Sequence, residues 1–169
     1  MTAGGQVKRA VAAAIKAAGC AAIESYSEEQ LKRYATAVAA VGTKETVIEE
    51  SGAAQYLGEK VDEATQKTVS VYGRKLLLTL LIEVYAPRTL GAAGCEKAAE
   101  TITQAMMTAL PEGLKLGSLQ WGKTGWDKTT GMFRLDASAK YAAYFVAEAA
   151  EDETVFTDFV LKGTVKERE

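Results

Sequence analysis

The segment Lys75-Leu76-Leu77-Leu78-Thr79-Leu80-Leu81-Ile82-Glu83-Val84-Tyr85 decides the fold of this chain. Its even-numbered positions are all aliphatic, whereas its odd-numbered positions mix apolar, polar and charged residues. Side chains alternate between the two faces of a β-strand, so the pattern predicts a strand with a dry even face and a half-apolar odd face. With its flanking residues, this strand is predicted to cover residues 68–85.

Two amphipathic helices are predicted to cover the even face of the strand. Apolar residues recur at helical spacing over residues 7–18, and Gly19 follows as a stop signal. The same spacing recurs over residues 95–110, before Pro111.

Shorter strands complete the predicted sheet. They are expected over residues 22–26, 34–41, 44–49, 116–126, 132–147 and 155–165. Turns are expected at residues 42–43 and 127–131, a helical turn after Ser27, and a long loop over residues 51–67. The predicted class is α+β: a mostly antiparallel sheet with two helices packed on one face, plus a C-terminal strand. The 169 residues are expected to form a single domain, with a core over about 7–146 and a C-terminal strand extension over about 154–166.

The composition limits the function classes. Basic and acidic residues nearly balance, at 20 and 22, so no strong field attracts the chain to nucleic acid or to an anionic membrane. No run of about 18 apolar residues could span a bilayer, and residues 1–6 lack the features of a signal peptide. The chain has no histidine, which removes the commonest general base and metal ligand. Cys20 and Cys95 are expected to be reduced small hydrophobic residues, with a disulfide as the alternative.

One formal enzyme motif occurs. Gly117-Ser118-Leu119-Gln120-Trp121-Gly122-Lys123-Thr124 matches the phosphate-binding loop pattern of nucleotide hydrolases. That chemistry needs a helix directly after the loop, because amides at the helix N-terminus hold the phosphates. Residues 125–131 are typical of a strand end and a turn instead, so a structural role is favoured. The chain is expected to be no enzyme, with no catalytic residue, no cofactor and no metal.

The odd face of the main strand is the candidate functional surface. Leu77, Leu81 and Tyr85 form a stripe of large apolar residues that both helices leave uncovered, and they are the candidate subunit interface. The loop over residues 51–67 is the candidate partner loop, and its named contact residues are Gly52, Tyr56, Leu57 and Gly58. The predicted strands over residues 68–85 and 132–147 are well above the usual strand length. They are expected to extend past a small core, which is typical of a chain that assembles with partners.

The segment Leu80-Leu81-Ile82-Glu83-Val84-Tyr85-Ala86 is followed by an alanine-rich helix, and Trp126-Asp127-Lys128-Thr129-Thr130-Gly131-Met132-Phe133-Arg134 then opens a long strand. This order resembles tail terminator (tail-completion) proteins of long-tailed bacteriophages and prophages. The resemblance covers pattern and element order over about residues 7–146, and residues 51–67 and 155–165 depart from it.

The resemblance implies a non-enzymatic structural protein of the virion that forms a ring, a hexamer in this family. Such a ring caps the tail tube and joins it to the head, so its implied partners are itself, the tail-tube protein and a head-completion or neck protein. It implies a place at the head-proximal end of the tail, after synthesis in the bacterial cytoplasm. The alternatives are a neck protein, a minor tail protein or another oligomeric adaptor, and a nucleotide-binding enzyme that uses the phosphate-loop-like motif.

Overall fold

A computed structural model of the chain describes residues 3–50 and 56–149. The helices and strands in this part of the chain are α1 (Ala3–Ala17), β1 (Ala21–Ile23), α2 (Glu28–Leu31), β2 (Val38–Glu50), β3 (Tyr56–Val61), β4 (Thr68–Ala86), α3 (Gly91–Thr108), β5 (Lys115–Trp121), β6 (Gly125–Asp127) and β7 (Met132–Ala149).

The strands form one seven-stranded sheet in the order β1-β2-β4-β7-β5. β3 pairs with β4 beyond the end of β2, and β6 pairs with β7 beyond the end of β5. All pairings are antiparallel except that of β1 with β2. The predicted α+β class with a mostly antiparallel sheet is therefore confirmed.

The even-numbered face of β4 forms the core, as predicted. Leu76, Leu78, Leu80, Ile82 and Val84 are each at most 2% exposed. Antiparallel pairing places the odd-numbered residues of β7 on the same face, with Ala137 opposite Ile82. α1 packs against β1 and β2, α3 packs against β4, β5 and β7, and the two helices contact each other. The predicted register and the placement of both helices on this face are confirmed.

Small side chains bring α3 close to the sheet. Its buried face is made of Cys95, Ala98, Ala99, Ile102, Ala105 and Met106. Cys95 Sγ lies 3.4 Å from the carbonyl oxygen of Phe133 and 3.7 Å from that of Val84, so the first turn of the helix rests directly on β4 and β7. At the other edge, Trp121 Nε1 of β5 donates a hydrogen bond of 2.9 Å to Thr103 Oγ1 of α3.

The local signals at the helix ends act as predicted. Gly19 takes a φ of +93°, its amide donates to the Lys16 carbonyl, and the Cys20 amide donates to the Ile15 carbonyl. This pair of bonds is the Schellman motif, which favours glycine because a side chain is strained at positive φ. Ser27 Oγ accepts from the amide of Gln30 and begins the single turn of α2.

The predicted turn at residues 42–43 is wrong, because β2 runs straight through it. Gly42 pairs with Leu81 and Thr43 with Leu80, and the register then shifts before Glu45 pairs with Thr79. The shift leaves Lys44 as the extra residue of a β-bulge. Continuous pairing with β4 supplies backbone hydrogen bonds to this segment. These bonds outweigh the local preference of glycine for a turn.

The predicted long loop over residues 51–67 is wrong in its second half, which forms β3 and a tight hairpin turn. The Asp62 amide donates to the Lys67 carbonyl at 2.9 Å, and Asp62 Oδ1 accepts from the Ala64 amide at 2.9 Å. β2 and β3 therefore run in succession along the same side of β4. Residues 51–55, which include Gly52, and the predicted C-terminal strand lie outside the described residues.

Candidate functional site on the open face of the sheet

The open face, defined here as the face opposite α1 and α3, is covered at one end by the chain itself. A second hydrophobic cluster forms there, made of Ile23, Leu31, Val38, Ala40, Tyr85 and Met132. Tyr85 is fully buried in this cluster, and the Tyr26 ring lies 6.0 Å from its ring. The prediction that Tyr85 is an exposed subunit contact is therefore wrong, because the other side chains of this cluster and the Tyr26 ring cover the surface that it was expected to offer.

A charged network borders the second cluster. Arg134 Nη2 lies 2.6 Å from Glu83 Oε1, and Arg134 Nε lies 2.7 Å from Asp136 Oδ1. The Tyr85 hydroxyl donates to Glu83 Oε1 at 3.3 Å, and the guanidinium lies 5.7 Å from the centre of the Tyr85 ring. The register of β4 with β7 brings these groups together, since Glu83 pairs with Asp136 and Tyr85 with Arg134.

The two carboxylates of this network do not hold Arg134 equally. Burial raises the pKa of Glu83 above its ordinary value, and this effect outweighs the attraction of Arg134. The pKa of Arg134 is raised first by its hydrogen bond with Asp136, and the charge of Glu83 contributes less. The guanidinium is thus stabilised chiefly by Asp136. Burial disfavours the ionised form of Glu83 by more than the attraction of Arg134 favours it.

Replacing Arg134 with methionine is expected to lower the free energy of unfolding at pH 7 by about 1 kcal/mol, because Glu83 loses its cation. The pKa of Glu83 should rise further in the variant. A carboxyl with a raised pKa in the folded state favours folding at low pH, so the deficit should grow as the pH rises above 4.5, the ordinary value. Urea unfolding between pH 4 and pH 8 measures this deficit. Arg134→Lys, which keeps a cation, is the control, and a deficit independent of pH would contradict the expectation.

The middle of the open face alternates apolar and polar rows. Leu81 is half-buried, because its neighbours across the strands are Gly42 and Ser138, which are too small to cover it. Leu77 is also half-buried and lies between Val47 and Ala142. These two leucines remain available as candidate interface residues after the correction of Tyr85.

Between the two apolar rows lies a polar one. Thr79, which is 9% exposed, has exposed Glu45 on one side and exposed Lys140 on the other. The face therefore offers two apolar rows separated by charges of both signs, which is the composition of a polar-rimmed contact surface.

Beyond the helices, the sheet continues as an overhang, defined here as residues 47–50, 56–61, 68–75 and 144–149. The layer of helices ends near the first turn of α1, where a Cβ on Gly4 would lie 3.8 Å from Leu78 Cδ1. Past this point both faces of the sheet carry exposed large apolar residues, namely Val47 (39%), Ile48 (55%), Tyr56 (42%) and Val61 (57%). Exposed apolar residues on long strands favour association with another surface, which removes them from water.

The candidate partner residues that the structure describes belong to this overhang rather than to a loop. Tyr56 is in β3, and its ring makes an edge-on contact with Tyr72 at 5.7 Å between centroids. Gly58 takes a φ of +134° beside a bulge in the β3–β4 pairing, and Leu57 occupies the bulge in the backbone. The structure thus places Tyr56, Leu57 and Gly58 on one short edge strand.

The phosphate-loop-like motif lies along β5 and the connection to β6. Residues 117–121 are in β5, an edge strand, and the Gly122 amide donates to the Asp136 carbonyl of β7 at 2.8 Å. β6 follows directly, so no helix begins after Thr124. At least one amide of the motif is therefore engaged by the sheet rather than directed at a phosphate.

The chain is expected not to bind nucleotide at this motif. The physical reason is the strand conformation of residues 117–121, since a phosphate loop needs backbone amides converging at a helix N-terminus. Titration with a fluorescent ATP analogue and magnesium is expected to show no saturable binding. Micromolar binding that Lys123→Ala abolishes, and that Lys128→Ala leaves intact, would instead establish a nucleotide site.

The two cysteines lie in the core. Both are buried and free, and burial raises the pKa of the Cys95 thiol to about 11 and that of Cys20 above its ordinary value. Their thiols are protonated at neutral pH. Within residues 3–50 and 56–149, no group of three or more Cys, Asp or Glu side chains is placed to hold a metal ion. Among the described helices, none is both long and apolar enough to cross a membrane.

Sequence reasoning missed the network of Glu83, Arg134 and Asp136. Glu83 and Arg134 are 51 residues apart, so no local spacing connects them. The signal that could have found them is the opposite charge of Glu83 and Arg134 on two long strands whose apolar faces fix the register.

Comparison with known proteins adds no assignment. The sequence matches no model of a known protein family, and no curated protein matches it significantly.

Proposed function

We propose that the chain is a tail terminator of a long-tailed bacteriophage or prophage, a structural protein that forms a ring, caps the tail tube and joins it to the head. The observation that carries this proposal is the overhang. β4 and β7 are 19 and 18 residues long, while the even face of β4 is buried only from Leu76 to Ala86. A chain that extends so much apolar sheet past its own core is suited to assembly.

The element order supports the same proposal. A tail terminator pattern implies an N-terminal helix, a hairpin, a long strand, a helix and a final antiparallel pair. The chain has α1, the long strand β4, α3, and the antiparallel pairing of β5 and β6 with β7 in that order. In place of a separate hairpin before the long strand, β2 and β3 both pair with β4 itself. The resembling segments end β4 and open β7, which are paired neighbours at the centre of the sheet.

In this proposal, the two apolar rows of the open face, which contain Leu77, Leu81 and Val47, contact a different surface on the next copy of the chain. A contact between two different surfaces repeats head-to-tail and closes into a ring when its rotation permits. The tail-tube protein and a neck protein would then contact the two rims of the ring. The hexameric count and the position at the head-proximal end of the tail come from the resemblance.

The test is disruption of the gene in the phage or prophage that encodes the chain. Without a terminator, tail tubes should lack a defined length, and heads should accumulate without tails, both of which electron microscopy of the lysate measures. Wild type and Lys123→Ala supplied in trans should restore normal particles, because the motif lysine has no role in capping. Leu81→Lys should not.

Normal tail lengths and joined heads after disruption would overturn the proposal. If tails are of normal length but heads stay unjoined, the chain is a neck protein rather than a terminator. Failure of Lys123→Ala to restore particles, with the variant folded, would favour the nucleotide-binding alternative.

A further inference from the structure

The polar row in the middle of the open face carries charges of opposite sign on its two sides. Glu45 of β2 and Lys140 of β7 both pair with Thr79 of β4, so the two charged residues lie on either side of it at about equal distances. Both are exposed, and in residues 3–50 and 56–149 neither takes part in an ion pair within the chain. The row therefore offers an acid on its β2 side and a base on its β7 side.

The apolar rows above and below are suited to the same kind of contact. In the row of Leu77, the β2 side carries Val47, which is 39% exposed, and the β7 side carries the small Ala142. In the row of Leu81, the residues on both sides are small, which leaves space for a leucine of another molecule. A partner that presented its β7 side to the β2 side of this face would set base against acid and a small residue against a large one.

We propose that two copies of the chain pair face to face through these three rows, about a two-fold axis that runs parallel to β4. Rotation about such an axis places the β2 side of each copy against the β7 side of the other, so the contact is the same in both directions. Glu45 of each copy then lies opposite Lys140 of the other, and Val47 lies opposite Ala142. The rotation moves nothing along the axis, so each row meets the same row of the second copy.

The charges distinguish this arrangement from the other face-to-face pairing of two copies. An axis across β4 at the level of Thr79 would place Glu45 opposite Glu45 and Lys140 opposite Lys140, and like charges in direct opposition are unfavourable. With the axis parallel to β4, both charge pairs are attractive. Packed sheets lie about 10 Å apart, so side chains of the apolar rows can interdigitate between them.

The contact is expected to be weak. Three rows on three strands cover a patch of roughly 15 Å on a side, which is below the size class of stable protein interfaces. The dimer should therefore form only as the protein concentration rises. This inference goes beyond the proposed function and does not rest on it. The same rows cannot serve the dimer and a ring at once, so the dimer is the form of the free chain, and assembly into a ring would separate it.

Reversal of the charges tests the pairing. Glu45→Lys and Lys140→Glu are each expected to weaken dimerisation at least about tenfold, because two attractive pairs become two repulsive ones. The double variant Glu45→Lys with Lys140→Glu restores opposite charges in both pairs, and its affinity should return to within about threefold of the wild type. Sedimentation velocity at low ionic strength, where screening is weak, measures all three variants.

An equimolar mixture of Glu45→Lys and Lys140→Glu gives the sharpest result. Each variant alone should be mostly monomeric at a concentration where the wild type is dimeric. In the mixture, each introduced charge meets its opposite on the other chain, so dimers should form again. Glu96→Lys and Lys97→Glu are the matched controls, because they make the same charge changes at exposed positions of α3, on the opposite face of the sheet. Neither should weaken the wild-type dimer.

Several outcomes would overturn the proposal. A wild type that stays monomeric at every concentration would exclude the dimer, and species larger than a dimer would indicate an open, head-to-tail contact instead. If both single variants are weakened but neither the mixture nor the double variant recovers, Glu45 and Lys140 meet other groups and not each other. None of these outcomes decides the proposed function, which disruption of the gene tests separately.

Discussion

Replacing Ile82 with alanine is expected to lower the free energy of unfolding by roughly 2–5 kcal/mol. Ile82 is fully buried in the core-facing part of β4, between Val41 of β2 and Ala137 of β7. The substitution removes buried methyl groups and leaves a cavity, which the rigid pairing on both sides of the strand prevents from closing. A loss of this size is a large part of the stability of a domain.

Ile48→Ala is the matched control for Ile82→Ala. Ile48 is also an isoleucine on the face that carries the helices, but it lies in the overhang and is 55% exposed. Its replacement should change the free energy of unfolding by less than about 1 kcal/mol. Urea denaturation at low protein concentration measures both variants without assembly. Equal losses in the two variants would contradict the placement of the core.

Leu81→Lys is expected to weaken self-association of the chain at least about tenfold, a change of about 1.4 kcal/mol in the free energy of association. Leu81 projects from the open face between Gly42 and Ser138, so it is the large apolar side chain of its row. A lysine there would place an ammonium group in a contact that excludes water, where an unpaired charge is costly. The wild type is expected to be monomeric when dilute and to associate as its concentration rises.

Sedimentation velocity over a range of concentrations measures this association. Met107→Lys is the control, because Met107 is 73% exposed on α3, away from the open face, and its replacement should leave association unchanged. A wild type that stays monomeric at every concentration, or a Leu81→Lys variant that associates as strongly as the wild type, would contradict self-association through the open face.

The sequence by itself determined the features that depend on local periodicity. The alternation in residues 75–85 set the register of β4, because a shift of one residue would expose five aliphatic side chains. Gly19 ended α1 through its backbone freedom. The turn before β7 was also readable, since Thr130 Oγ1 donates to Asp127 Oδ2 at 2.7 Å and Gly131 takes a φ of +67°. Each of these outcomes follows from residues within a few positions of one another.

Only the tertiary structure decided the outcome where two distant segments meet. β2 continues through Gly42 because the long strand β4 supplies hydrogen-bond partners for its backbone. β3 forms because β4 extends back to Thr68 and offers a pairing edge there. Tyr85 has the sequence pattern of an exposed residue, yet it is buried, since Ile23 and Leu31 from the segments before β2 pack with it on the open face. Glu83 meets Arg134 for the same reason: strand pairing sets which residues are neighbours, and a single strand does not reveal its partner.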